Sequence, residues 1–208
     1  MQVLSAMKCN YLVLSDALFV VENRAQRAGR VRPEDSLDST GGDRAAANVD
    51  DFAKLAWEEY GLKTCIHPHV GGYLETDFEI NAVLKRTNPE NVGLCFDMAH
   101  IAYSGGDPVA VLDKWRDRTW YMHIKECDNR VRDEVLTREG DYFNGVESGV
   151  FPELGAGTVD WQGIKRILTE INYQGWGTVE QDILPESGIN PLESAKSNRA
   201  FLHNELGW

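Results

Sequence analysis

Val92-Gly93-Leu94-Cys95-Phe96-Asp97-Met98-Ala99-His100 is an apolar run with a carboxylate and an imidazole at its end. A short run without polar alternation predicts a strand buried on both faces, as in a parallel sheet covered by helices. Three more runs end in the same way. Thr64-Cys65-Ile66-His67-Pro68-His69 lies upstream, and Trp120-Tyr121-Met122-His123-Ile124-Lys125-Glu126 and Gly175-Trp176-Gly177-Thr178-Val179-Glu180-Gln181-Asp182 lie downstream. Imidazoles and carboxylates delivered by the carboxyl ends of successive parallel strands converge on one point, which is how an α/β barrel builds a metal site.

Helical patterns alternate with these runs. Tyr11-Leu12-Val13-Leu14-Ser15 reads as a first strand, and the polar stretch from Glu22 to Gly42 as a long strand-to-helix loop. Val49, Phe52, Ala53, Ala56 and Tyr60 then recur at helical spacing, and Gly61 supplies a stop. Thr76-Asp77-Phe78-Glu79 has the capping-box pattern before Ile80, Val83 and Leu84. Asp107-Pro108 opens a helix carrying Val109, Leu112 and Trp115. A second long loop is expected over Asp128 to Thr158, before Asp160 caps a helix carrying Ile164, Ile167, Leu168 and Ile171. A last helix starts near Pro191. The pattern is strand-helix repeated five times, an α/β chain with strands too apolar to face solvent. Residues two before each strand-end ligand (Cys65, Cys95, Tyr121 and Thr178) share its face and form an inner layer one step deeper.

The chain of 208 residues is long enough to bury one core, and a single domain over 1–208 is expected. A net charge of -12 argues against a nucleic-acid surface, which needs clustered Lys and Arg. The four cysteines show no C-x-x-C pairing and read as reduced, buried thiols. No stretch is apolar enough to span a membrane and the N-terminus lacks a signal-peptide core, so a cytoplasmic protein is expected.

His67, Asp97, His123 and Glu180 are the candidate metal ligands. Two imidazoles and two carboxylates suit Mn²⁺, Co²⁺, Zn²⁺ or Fe²⁺ better than Ca²⁺. Each alone could equally be a core histidine or a helix cap; four in sequence order point to a divalent cation. His100 starts the loop after its strand and either faces the same pocket from further out or lies on the surface. Lys125 shares a strand face with His123 and could neutralise an oxyanion, or pair with Glu126 or Asp128. Asp182 could be a base, a partner of the ligands or a solvated acid. His69 is placed to touch substrate. Gly71-Gly72 and Gly155-x-Gly157 are turn glycines without a phosphate-binding context, and His203 falls on the surface.

At Asp97-Met98-Ala99-His100, His123-Ile124-Lys125-Glu126 and Val179-Glu180-Gln181-Asp182 the chain resembles the xylose-isomerase-like superfamily of TIM barrels. Within it the resemblance is nearest to the inosose dehydratases. It is carried by His67-Pro68-His69-Val70-Gly71-Gly72, by Gly149 to Gly157 with Val159-Asp160, and by Tyr173-Gln174-Gly175-Trp176. The similarity runs from about Leu55 to Phe201. It implies a partial (β/α)8 TIM barrel of about five parallel βα units and a metal-dependent lyase dehydrating a keto-inositol. The same site could instead isomerise or epimerise a ketose. A metal chelating the carbonyl oxygen and a neighbouring hydroxyl would stabilise an enolate. Glu180 or Asp182 would serve as base, His100 or His69 as acid, and Lys125 as charge stabiliser. The substrate contacts would be His69, His100 and Lys125, and the partner a small polyol or keto-sugar.

Two departures stand out. Epimerases of the superfamily carry Glu-Pro where this chain has His67-Pro68, which tilts the reading towards a dehydratase. A full barrel has eight strands in roughly 250 residues, whereas this chain opens just before what corresponds to the fourth strand. Unpaired edges are expected at the Tyr11 and Glu180 strands, with self-association through the open side. A non-catalytic remnant is the rival outcome.

Overall fold

The computed structural model describes residues 1–208. Helix α1 (Gln2–Ala6) precedes strand β1 (Tyr11–Leu14), and α2 (Glu22–Gln26) and α3 (Ser39–Tyr60) lead to β2 (Lys63–Ile66). Helix α4 (Asp77–Leu84) connects β2 to β3 (Val92–Asp97). Helices α5 (Met98–Tyr103) and α6 (Pro108–Lys114) then lead to β4 (Thr119–Ile124). Three helices, α7 (Asn129–Thr137), α8 (Tyr142–Glu147) and α9 (Trp161–Glu170), separate β4 from β5 (Trp176–Val179), and α10 (Pro191–Phe201) follows. The strands form one parallel sheet in chain order. Asp97 stands opposite His123, and His123 opposite Thr178, so the carboxyl ends of β3, β4 and β5 lie level.

Local signals account for the helix bounds. Thr76 and Glu79 form a reciprocal capping box on α4. Asp107 and Asp160 cap α6 and α9 through their carboxylates. Gly61 ends α3 at φ 67°, a left-handed conformation that costs glycine nothing. The outer face of the sheet packs against these helices in the main core, which includes Leu94, Phe96, Ile80, Leu112, Ile164 and Ile167.

Three expectations need correction. The stretch from Glu22 to Gly42 is not one loop: it holds α2 and a short turn of helix at Pro33–Asp35, and α3 already starts at Ser39. Asp38 accepts from the Gly41 amide, so a good cap carries both glycines into the first turn of the helix. Asp128 to Thr158 is not a loop either, since Asp128 caps α7 and Asp141 caps α8. These short helices have few apolar positions of their own. They are held by a second, smaller core containing Val70, Ala99, Tyr103, Cys127, Tyr142 and Phe151. The third correction concerns β5, where all four residues are exposed and Trp176 is 66% accessible. Its place at the edge, with only β4 beside it and β1 at the other edge, is as expected; the solvent-facing residues are not. None of the four cysteines is paired, and three are buried. No helix is long and apolar enough to cross a membrane.

The α2 segment is fixed by a buried charge network. Arg24, 1% exposed, donates to Glu79 Oε2 at 3.0 Å and to the Gly72 carbonyl. Glu75 accepts from the Gly29 and Gly71 amides, both at 2.7 Å. The loop following β2 is thereby tied to the one following β1. Burial outweighs these bonds and pushes Glu75 up to about 7.

Removing a buried cation leaves its carboxylates uncompensated. Arg24→Ala should therefore cost about 3–5 kcal/mol in chemical denaturation. Because the Glu75 value is raised in the folded state, its contribution is full below the unfolded value near 4.5 and lost as pH rises through about 7. Stability measured between those limits should fall with pH, and Glu75→Gln should flatten that fall while lowering stability overall.

Candidate metal and substrate site

Asp97 closes β3 and opens α5, and its two oxygens are divided between two tasks. Oδ1 accepts from the Ala99 and His100 amides at 2.9 and 3.0 Å, capping the helix. Oδ2 is left facing His67 Nε2 at 3.3 Å and His123 Nδ1 at 3.6 Å. His123 Nδ1 also lies 3.0 Å from His67 Nε2 and 3.1 Å from Glu180 Oε1. Bonds of about 2.1 Å to a shared cation put neighbouring donors roughly 3.0–3.5 Å apart, close to the spacing found. Two overlapping triads, His67–Asp97–His100 and Asp97–His123–Glu180, each bring their donor atoms within 4.8 Å of one another and could hold a metal ion.

The electrostatics call for positive charge at this point. Burial would raise Asp97, but His100, His123 and His67 outweigh it and hold the carboxyl well below its ordinary range. Burial would lower His123, yet hydrogen bonds to Asp97, Cys95 and Glu180 push it up to about 12. A centre that stabilises an imidazolium so strongly fits a divalent cation equally well.

His100 is in α5 rather than a loop, and is 1% exposed. The alternative of a surface histidine is overturned because Asp97 caps the helix and turns His100 inward. Its Nε2 accepts from Lys125 Nζ at 3.3 Å, and its ring lies 3.7 Å from that of His69. Burial and the Lys125 charge hold His100 well below its ordinary value; burial, above all, lowers His69 to about 4. Lys125 pairs with Asp182 and approaches Glu180 at 3.8 Å, so the alternative pairing with Glu126 or Asp128 does not occur. Glu126 instead accepts from the Cys127, Gly155 and Val159 amides and from Trp161 Nε1, which fixes the segment that follows. Asp128 caps α7 and pairs with Arg130. His203 is exposed.

Sequence reasoning missed Tyr142. Its hydroxyl donates to Asp182 Oδ2 at 2.5 Å, and its ring lies 5.4 Å from His69 and 5.9 Å from Phe151. Phe151 in turn sits 4.5 Å beneath the Lys125 ammonium. The signal was the Asp141 cap, overlooked because α8 is only six residues long.

A family model described as the xylose isomerase-like TIM barrel matches residues 1–204. Inosose dehydratase of Clostridium beijerinckii is 33% identical over 163 residues, 78% of this chain and 54% of that protein. Inosose dehydratase of Bacillus cereus is 33% identical over 165 residues, 79% of this chain and 55% of that protein. The chain spans about half the length of these curated relatives. Among solved structures, the IOLI protein with a bound zinc atom has a TM-score of 0.70 at 16% identity, covering 99% of this chain and 66% of its own. A probable 3-DHS dehydratase from Bacillus anthracis has a TM-score of 0.66 at 15% identity, covering 98% and 81%. These two likenesses establish the fold.

Removing the Tyr142 hydroxyl breaks a hydrogen bond to a carboxylate. Tyr142→Phe should retain the fold and lose about 1.5–3 kcal/mol of stability, read from urea midpoints. An unchanged midpoint would mean that the hydroxyl is equally well satisfied by water.

Proposed function

This chain belongs to the xylose isomerase-like TIM barrel family, and we propose that it serves as a metal-dependent lyase dehydrating a keto-inositol. The observation that carries this reading is the convergence of His67, Asp97, His123 and Glu180 beside the Lys125–Asp182 pair. The names of the curated relatives support the substrate. Mn²⁺, Co²⁺, Zn²⁺ and Fe²⁺ all suit the donor set.

The four ligands would hold the cation, and when bound it would polarise a ketone oxygen and an adjacent hydroxyl. Glu180 is the more exposed carboxylate of the cluster and is the base for the proton on the carbon next to the ketone. Lys125 places its ammonium beside Glu180, where it would offset the negative charge that develops on oxygen. Loss of hydroxide from the next carbon completes the removal of water, and the enol so formed becomes a dione. A proton must accompany that hydroxide. Burial and the Lys125 charge lower both His69 and His100, which favours Lys125 over either imidazole as that acid. Asp182, fixed between Lys125 and Tyr142, orients the ammonium. Isomerisation of a ketose would use the same proton abstraction and return the proton instead of expelling hydroxide.

Supplied with Mn²⁺ or Co²⁺, the chain should take up about one cation, measured by elemental analysis after desalting. His123→Ala and Glu180→Gln should each reduce retention at least tenfold, as expected for the loss of one ligand. Retention of no cation by the unaltered chain would sink the assignment. Incubation with scyllo-inosose should produce an ultraviolet-absorbing dione, and Lys125→Met should slow it by about 10²-fold or more. A changed ketose without loss of water would assign the isomerase reading instead.

A further inference from the structure

Three rings, those of Phe19, Tyr142 and Phe143, meet beside the site, and only Tyr142 has a polar partner there. Phe19, on the loop after β1, has its ring centre 5.2 Å from Tyr142, 5.1 Å from Phe143 and 5.7 Å from His69. His69 is 5.7 Å from His67, so a single imidazole separates these rings from the ligand cluster. Phe19 adopts φ 59°, a left-handed conformation that a bulky side chain takes only where its surroundings force it. Two features force it here. Its amide donates to the Gly71 carbonyl at 3.1 Å, and its ring lies so close over Gly71 that a Cβ there would come within 2.5 Å of it. Phe143 remains 53% exposed although it adjoins this cluster. Phe19 and Tyr142 pack against and within the second core, which leaves Phe143 as the half-exposed ring of the three, and strain of the kind seen at Phe19 gathers at ligand clamps.

We propose that Phe19, Tyr142 and Phe143 form an aromatic shelf that stacks on the carbon face of a cyclic polyol or keto-sugar. Its oxygens would reach the imidazole–carboxylate cluster, and the shelf selects ring-closed over open-chain substrates. The inference rests on reading the site as one for a polyhydroxylated substrate. A carbocycle with equatorial hydroxyls presents a fixed face of axial C–H bonds, which suits the electron-rich face of an aromatic ring. An open-chain polyol has no such face and must freeze several bond rotations to make one. Tyr142 serves both halves of the pocket, its ring in the shelf and its hydroxyl on Asp182.

Two six-hydroxyl compounds that lack a carbonyl, scyllo-inositol and D-glucitol, isolate the effect from turnover. Binding to the full chain with Zn²⁺ is measured by calorimetry and by NMR saturation transfer from aromatic protons. The cyclic compound should bind at least about fivefold more tightly and receive saturation on its ring protons. Phe143→Ala, a change at a half-exposed position, should weaken it by about three- to tenfold and leave D-glucitol binding and zinc content unchanged. Phe19→Gly, which tolerates the backbone conformation, should act in the same direction, and Phe143→Tyr should preserve the preference. Equal affinity for the two compounds, no binding of the cyclic one, or an equal loss for both in Phe143→Ala would each overturn the shelf. A cyclic preference without inosose turnover would uphold it while rejecting the lyase reading; turnover without the preference would do the reverse.

Discussion

A carboxylate with no access to water anchors this structure. Asp97 is completely buried, and an isolated buried charge of that kind costs more than most folds can sustain. The answer here is geometrical. One oxygen is satisfied by the amides opening α5, where the helix dipole also favours negative charge. The other is offered to two imidazoles carried by β2 and β4. Strand register decides whether this works, because a slip of one residue in β4 would turn His123 away to the opposite face. The β3–β4 pairing that sets Asp97 opposite His123 is therefore a condition for burying Asp97 as well as for the site.

Acidic residues also build the frame around the site, on both sides and by the same means. Glu126 gathers three amides and an indole from Cys127 to Trp161; Glu75 gathers the Gly29 and Gly71 amides. Irregular backbone near a pocket leaves amide groups that helices and strands would otherwise satisfy. A buried carboxylate meets two or more at once, with bonds stronger than neutral ones. Part of the net charge of -12 thus has an internal structural role, and it gives no measure of the surface field at the pocket.

What the sequence made legible was whatever depends on neighbours along the chain or on strand periodicity. The apolar runs, the capping box at Thr76 and the caps at Asp107 and Asp160 marked their elements directly, and the order of the ligands followed from the order of the strands. The failures share one physical cause. Helices α2, α7 and α8 are short and stabilised by tertiary burial rather than by their own pattern, so their segments read as loops. Tyr142 was lost with α8, and Phe19 lies in the irregular segment before α2, where nothing local shows which way a side chain turns. Lys125 was foreseen on the right face, but its partner was not: Asp182 lies 57 positions away and meets it only across the β4–β5 pairing.

The cation cluster and the apolar floor beneath it place different demands on the sheet. Every proposed ligand comes from the end of β2, β3, β4 or β5, and its position depends first on the pairings between those strands. The floor is less self-contained. Tyr11 and Tyr121 meet edge to face at 5.9 Å, and the Tyr121 hydroxyl reaches Thr178 at 2.7 Å. Together with Trp176, Tyr11 and Tyr121 line an open cavity of about 560 Å³ bounded by the two edge strands. Apolar surface of that kind is costly while it faces water. Covering the floor would stabilise the sheet without moving a ligand, whereas disturbing the β3–β4 register would displace the ligands even with the floor covered. The floor's contribution to stability is therefore separable from the ligand geometry, whereas the contribution that runs through buried Asp97 is not.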